Sequence, residues 1–285
     1  MRISLMQFIT DQTPPPQALA AWAEERGFTG LYVPEKTHVP ISRQTPWPGG
    51  ELPDWYLRCY DPFVALAAAA AVTTRLRIGT GACLVAVHDP ILLAKQIASV
   101  SDMSGGRFVL GVGFGWNIEE LADHGVAFAD RIAVTVDKLA AMRALWAADP
   151  TAYTGPFASL PASWAWPKPA SVPPVLFGCR PSVRAFDVIA RHGDGWQPIE
   201  GYGELLPALP MLHAAFERAG RDPSMAQVCV YSSAGDPRTL DDYGEAGVAE
   251  VALTLPSADR TEVLAALDRL APLVNEFGAE VANHA

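Results

Sequence analysis

SGGRFVLGVGFGW, residues 104–116, runs from a Ser-Gly-Gly turn into an apolar, strand-like segment at 108–112 and on through Gly111, Gly113 and Gly115. Glycines where a strand ends let the backbone approach a ligand closely and leave N–H groups free for an anion. Two nucleotide-binding motifs compete for such a run. The dinucleotide fingerprint GxGxxG fails, because its third glycine would fall at Trp116 and the first strand-to-helix turn of the chain has no such motif. A P-loop fails as well, since no Gly-Lys-Ser/Thr follows. On spacing alone the segment is a glycine turn that is either structural or a cofactor cradle.

Working outward, apolar runs of four to seven residues alternate with longer amphipathic stretches along the chain. Predicted strands fall at 3–9, 31–33, 76–80, 108–112, 175–177, 195–197, 228–231 and 251–253. Predicted helices fall at 16–26, 62–73, 90–103, 131–147, 182–191, 204–219, 240–245 and 260–273. Eight such pairs are the pattern of βα units around parallel strands. A single α/β domain over residues 1–274, a (β/α)8 TIM barrel of the usual size of about 250 residues, accommodates them. Residues 275–285 carry no periodicity and are expected to be a disordered tail. Asp61-Pro62 and Asp89-Pro90 each set an N-capping Asp before a proline at the first helical position, so both acids are expected to be caps. Two long loops, 38–60 and 149–174, interrupt the pattern and are rich in Trp, Pro and Gly. Loops that follow barrel strands lie at the C-terminal face, where active sites are built. Trp47, Trp55, Tyr56 and Tyr60 therefore either line a pocket or pin their loop.

Composition narrows the function classes. The formal charge of −10 and pI near 5.0 argue against nucleic acid or an anionic membrane as partner. The start of the chain, MRISL, lacks the features of a signal peptide and no run reaches about 18 apolar residues, so a cytoplasmic enzyme acting on a small molecule is expected. Cys59, Cys83, Cys179 and Cys229 have no CxxC and no His at metal spacing; they are expected to be reduced, mostly buried thiols, with no metal site. Seventeen Arg against four Lys, with abundant Ala and Pro, suit a GC-rich genome such as an actinobacterial one.

Other segments join the opening stretch in a recurring order. They are Leu31-Tyr32-Val33-Pro34-Glu35, Arg77-Ile78-Gly79-Thr80-Gly81, Asp89-Pro90 with Ala94-Lys95-Gln96, Trp116 with Glu119 and Glu120, Trp166-Pro167-Lys168-Pro169, Pro174-Val175-Leu176-Phe177-Gly178 and Gly193-Asp194-Gly195-Trp196. Together they resemble the luciferase-like monooxygenase superfamily, and within it the branch dependent on the deazaflavin coenzyme F420, strongly over residues 1–200 and weakly beyond.

The resemblance implies a flavin-type ring held at the barrel mouth against the second, third and fourth strands. The residues it marks for cofactor binding are Gly79, Thr80, Gly81, Ala82, Gly111, Gly113, Gly115 and Trp116. It also implies a non-prolyl cis peptide at Gly81–Ala82, and phosphate contacts at Gly178, Cys179, Arg180, Pro181 and Ser182. A helix N-terminus with an adjacent Arg fits an anion there. Relatives of this type carry an acid followed by His at the end of the second strand, whereas this chain has Glu35-Lys36, with His38 two positions further on. Either Lys36 supplies charge beside the ring, or His38 reaches back, or neither is catalytic; Glu35 and Glu119 complete the candidate catalytic set. His88 is expected to be an exposed loop residue, and His124, His192 and His213 to be structural. The implied activity is hydride transfer between deazaflavin C5 and an alcohol, aldehyde, ketone or enone, in a homodimer. The alternatives are an FMN-dependent monooxygenase of the same fold and a non-catalytic flavin or deazaflavin binder.

Overall fold

A computed structural model describes residues 1–278. Strands β1 (Arg2–Met6), β2 (Gly30–Val33), β3 (Arg77–Thr80), β4 (Phe108–Gly113), β7 (Val175–Gly178), β8 (Gly195–Trp196), β9 (Gln227–Ser233) and β10 (Glu250–Thr254) close into a parallel barrel in the order β1-β10-β9-β8-β7-β4-β3-β2. Helices α1 (Pro16–Glu25), α2 (Pro62–Ala70), α3 (Pro90–Met103), α5 (Arg131–Trp146), α6 (Val183–His192), α7 (Leu205–Arg218) and α8 (Pro237–Glu245) carry the chain from strand to strand, and α9 (Arg260–Phe277) follows the last strand. This is the expected (β/α)8 architecture. No helix among the described residues is long and apolar enough to cross a membrane.

Aspartate caps set the helix starts. Asp61 accepts from the Val64 N–H at 2.9 Å, and Asp89 from those of Ile91 and Leu92 at 3.0 and 2.9 Å, as their Asp-Pro pairs foretell. Asp236-Pro237 carries the same signal. Asp236 accepts from the Thr239 N–H at 3.0 Å, so α8 begins at Pro237 and not at the predicted 240.

Other departures have local causes. The apolar run predicted as a strand over 3–9 leaves the barrel at Met6 because Ile9 and Thr10 turn to the long loop: Tyr60 N–H donates to Ile9 O at 2.9 Å, and Thr10 bridges Cys59. Among the elements with no counterpart in the sequence reading are the short helix α4 (Ile118–Asp123) and the hairpin β5 (Tyr153–Thr154) with β6 (Ser159–Leu160). The last helix continues to Phe277, so the tail expected from 275 is helical for its first three residues, and 279–285 lie outside the described residues.

Alternation along the strands divides the core in two. Ile3 and Leu5 of β1 face the helices, with Leu31, Ile78, Leu110 and Leu253 from other strands. Met6, Tyr32, Val109, Leu176, Cys229, Tyr231 and Ala252 fill the barrel interior. At the N-terminal end the interior is polar: buried Glu250 accepts from Ser4 Oγ at 2.5 Å, Tyr32 Oη at 3.0 Å, Arg2 Nε at 3.1 Å and Arg77 Nη1. Burial alone would raise the Glu250 pKa, but Arg77, Arg2 and the Ser4 hydroxyl outweigh it and hold the carboxyl below its ordinary value.

Replacing Glu250 leaves two guanidiniums without their buried counter-charge. Glu250→Gln is expected to cost about 3 kcal/mol, the low end for a broken buried pair, because Arg2 and Arg77 retain some access to water. A group with a depressed folded-state pKa adds stability that is complete above its unfolded pKa and is lost as pH falls through the folded one. Stability of the wild type in urea unfolding should therefore fall on acidification below about pH 4, and that fall should be shallower in the variant.

Candidate active site

Beyond β2 the chain runs through Pro34, Glu35 and Lys36 without regular structure, and the side chains of Glu35 and Lys36 reach different partners. Glu35 turns toward the segment after β3. One carboxylate oxygen accepts from the Leu84 N–H at 2.6 Å and the other meets His88 Nε2 at 2.5 Å. Lys36 turns the other way, and its ammonium donates to Glu120 Oε2 on α4. Both side chains are inaccessible, at 4% and 0% exposed. The same ammonium lies 5.0 Å from the Trp116 ring centroid and 5.6 Å from that of Tyr56.

His38 lies on the rim, its side chain 42% exposed, with Nε2 3.0 Å from Asp123 Oδ2. Thr37 Oγ1 is 3.0 Å from His38 Nδ1, 2.9 Å from His124 Nε2 and 3.5 Å from Glu120 Oε1. His124 thus belongs to the mouth, and burial together with the neighbouring His38 lowers its pKa. Of the two groups that could occupy the usual histidine position, the structure puts Lys36 inside and His38 outside, joined through Thr37.

The loop at 38–60 forms an aromatic wall. Phe8 lies 4.4 Å from Trp55 and 5.2 Å from Tyr56 between ring centroids, Trp47 packs edge-on against both, and Trp116 Nε1 donates to Tyr56 Oη at 2.8 Å. Tyr60 stands apart, well exposed. Glu119 ties this wall to α4. Its carboxylate accepts from Thr45 Oγ1 at 2.5 Å and from the N–H groups of Gln44 and Thr45 at 2.6 and 3.2 Å. The Thr45 hydroxyl and the Gln44 N–H pull its pKa down to about 2, so it is an ionised anchor with its oxygens occupied. The inward acid is its neighbour Glu120, which the sequence reading quoted but did not single out.

The glycines separate into two groups. A Cβ on Gly79 would strike the Tyr32 ring at 2.6 Å, one on Gly81 the Tyr231 ring at 2.2 Å, and one on Gly111 Thr80 O at 2.0 Å. These three are glycine because the barrel packs against them. At Gly115 φ is +79°, which turns the chain into α4. Gly113 and Gly178 are half-buried and paired with each other at the ends of β4 and β7, with Ala82 beside Gly113; a Cβ would come no closer than 3.3 Å to any atom at Gly113 and 3.5 Å at Gly178. Thr80 itself is buried, its Oγ1 donating to Gly111 O at 2.7 Å. The Gly81–Ala82 bond is cis. Past β7, Cys179 O accepts from Trp196 Nε1 at 2.9 Å. Burial pushes the Cys179 thiol up to about 12. Pro181 leads into α6, where Ser182 caps the Ala185 N–H at 3.1 Å beside exposed Arg180.

Glu35, Cys83 and His88 bring one ligand-type atom each within 4.8 Å of one another, a grouping that sequence spacing did not reveal. Glu35 meets His88 Nε2 at 2.5 Å, and burial, with the Glu35 charge nearby, holds the Cys83 thiol well above its ordinary range. His88 is partly buried rather than an exposed loop residue. Burial would lower its pKa, but the hydrogen bond and charge of Glu35 raise it above the ordinary value. A raised histidine adds stability that is complete below its unfolded pKa and is lost as pH rises through the folded one. The melting temperature should therefore fall as pH rises from about 6.5, and His88→Gln should flatten that dependence.

A family model described as luciferase-like monooxygenase matches residues 13–242. An uncharacterized protein of Mycobacterium tuberculosis is 40% identical over 276 residues, covering 95% of this chain and 98% of the relative. The F420-dependent hydroxymycolic acid dehydrogenase of the same species is 27% identical over 225 residues, 78% of this chain and 58% of that one. Among solved structures, a monooxygenase from Streptomyces bottropensis superposes with a TM-score of 0.79 at 19% identity, covering 98% and 100% of the two chains. With a family match over most of its length and a relative at this identity, the chain belongs to the luciferase-like monooxygenase family.

Proposed function

We propose that the protein is an F420-dependent oxidoreductase that moves a hydride between the deazaflavin and a small alcohol, aldehyde, ketone or enone. The observation that carries this reading is the buried Lys36 ammonium, fixed by Glu120 at the barrel mouth under an aromatic wall. The residues present fit a planar ring: Gly113, Ala82 and Gly178 keep one side of the mouth free of bulk, and Trp116 and Tyr56 offer aromatic faces on the other. The N-terminus of α6, with Arg180 beside it, suits a phosphate-bearing tail. When bound, the deazaflavin supplies hydride chemistry at C5; orientation and electrostatics fall to the protein.

In this reading Lys36 sets a positive charge where negative charge develops on reduction of the ring, in a site closed to water and therefore weakly screened. Glu120 holds the ammonium in place. Thr37 Oγ1 links Glu120 to His38 and His124, offering a hydroxyl path by which a proton released or taken up at the mouth reaches the rim. The Mycobacterium tuberculosis relative named for an F420-dependent hydroxymycolic acid dehydrogenase supports a deazaflavin and a hydroxyl-bearing substrate. The family name and the Streptomyces neighbour support a second reading, an FMN-dependent monooxygenase on the same residues.

Fluorescence titration of the apoprotein with each cofactor separates the two. Micromolar or tighter binding of F420 is expected, and tight FMN binding without F420 binding would reverse the assignment. Under anaerobic conditions with a panel of alcohols and enones, Lys36→Met is expected to lower kcat by about 100-fold while cofactor affinity changes far less. His38→Ala, at the exposed end of the path, should cost under about tenfold in kcat, the loss shrinking in buffers that carry protons efficiently. Equal rates for wild type and Lys36→Met would remove Lys36 from the mechanism.

A further inference from the structure

Among the described residues, five buried side-chain polar atoms lack a hydrogen-bond partner, and Tyr231 Oη is the one carried by a residue of the inner barrel cluster. An unpaired buried hydroxyl costs free energy, so native structures retain one mainly where something else completes it. Tyr231 stands near the C-terminal end of β9, and three features hold it there. Its own N–H donates to Pro198 O at 2.7 Å, and its carbonyl accepts from the Glu200 N–H at 2.9 Å. Ala252 of β10 pairs with Tyr231 while Leu253 pairs with Ser233, so Ser232 is the extra residue of a bulge. Ser232 has φ of +62°, the sole non-glycine residue with positive φ among the described residues. Bulges re-aim side chains, and backbone of this kind collects at functional sites.

The aim is toward the mouth. The Tyr231 ring lies edge-on against Gly81, where an added Cβ would come within 2.2 Å of Cε2 and 2.7 Å of Oη. Its hydroxyl therefore sits level with the floor formed by Gly81 and Ala82. Burial, with Cys229, Tyr56 and Cys59 nearby, holds the phenol well above its ordinary range, which keeps it protonated and able to donate.

We propose that Tyr231 Oη donates a hydrogen bond to the ligand seated at the mouth, a planar heterocycle bearing carbonyl oxygens, and that Tyr231 is thereby a binding residue of this site. The chemistry of the ligand follows from what surrounds the hydroxyl: aromatic faces from Tyr56 and Trp116 for a conjugated ring, and the Lys36 ammonium as a second group seeking electron-rich atoms. The inference rests on reading the mouth as a redox-cofactor site.

Tyr231→Phe removes one oxygen and leaves the ring packing intact. Fluorescence titration of wild type and variant with F420 and with FMN, beside thermal melting of both apoproteins, tests the assignment. The expected result is about tenfold weaker binding of whichever cofactor the wild type takes up, with an apoprotein melting temperature equal to or above that of the wild type, since no internal bond is lost. A merely structural hydroxyl would lower apoprotein melting and leave affinity unchanged. If the wild type binds a cofactor and Tyr231→Phe binds it equally well, the inference falls while the reading of the mouth stands. If the wild type binds neither cofactor, both fall.

Discussion

The pair between Lys36 and Glu120 joins the end of β2 to α4, across the strand that separates β2 from β4 in the barrel. Both side chains are almost wholly buried, so each charge needs the other: removing one partner would leave an uncompensated charge in a weakly polar site. The rest of the mouth is arranged around this constraint. Glu120 occupies the first turn of a helix whose N-terminus is capped by Asn117 through the Glu119 and Glu120 N–H groups at 3.0 and 3.1 Å. Trp116, just before that cap, lays its ring beside the ammonium, and Glu119 on the same turn anchors the long loop that roofs it. A helix of six residues thus fixes a cation, an aromatic face and a lid.

The two ends of the barrel divide their tasks. At the N-terminal end Glu250 gathers Ser4, Tyr32, Arg2 and Arg77 into a satisfied network that serves stability. At the C-terminal end the polar groups are poised rather than spent. A lysine faces aromatic rings, a tyrosine hydroxyl has no partner, and a threonine connects a buried carboxylate to two histidines at the rim. That asymmetry is the one expected of (β/α)8 enzymes, whose strand ends and following loops carry the chemistry.

Much of the fold was legible because its signals are local. Asp61-Pro62 and Asp89-Pro90 fix their helix starts through backbone geometry, and strands buried on both faces read as short apolar runs. The mouth was legible only in part. Lys36 and His38 are two residues apart, and which of them enters the pocket depends on where the chain after β2 meets α4. Glu119 and Glu120 are chemically alike and adjacent; a turn of about 100° per residue sends one to the loop and the other to Lys36. His88 looked like a loop residue because its partner Glu35 lies 53 positions away. The glycines at 111, 113 and 115 read as one run, yet Gly111 is dictated by Thr80 and Gly115 by a turn, which leaves Gly113 at the end of β4, where an added Cβ would meet Ala82 Cβ at 3.3 Å. Contacts of such long range leave no periodicity in a single sequence.

The central claim is that this mouth holds a redox-active ring beside the Lys36 ammonium. A crystal structure of the protein grown with F420 tests it most directly. The account predicts ring density bounded by Gly113, Ala82 and Gly178, within hydrogen-bonding reach of Lys36, with the phosphate-bearing tail directed to the N-terminus of α6. Density for the cofactor elsewhere on the barrel, or a ring whose edge lies out of reach of Lys36, would contradict it.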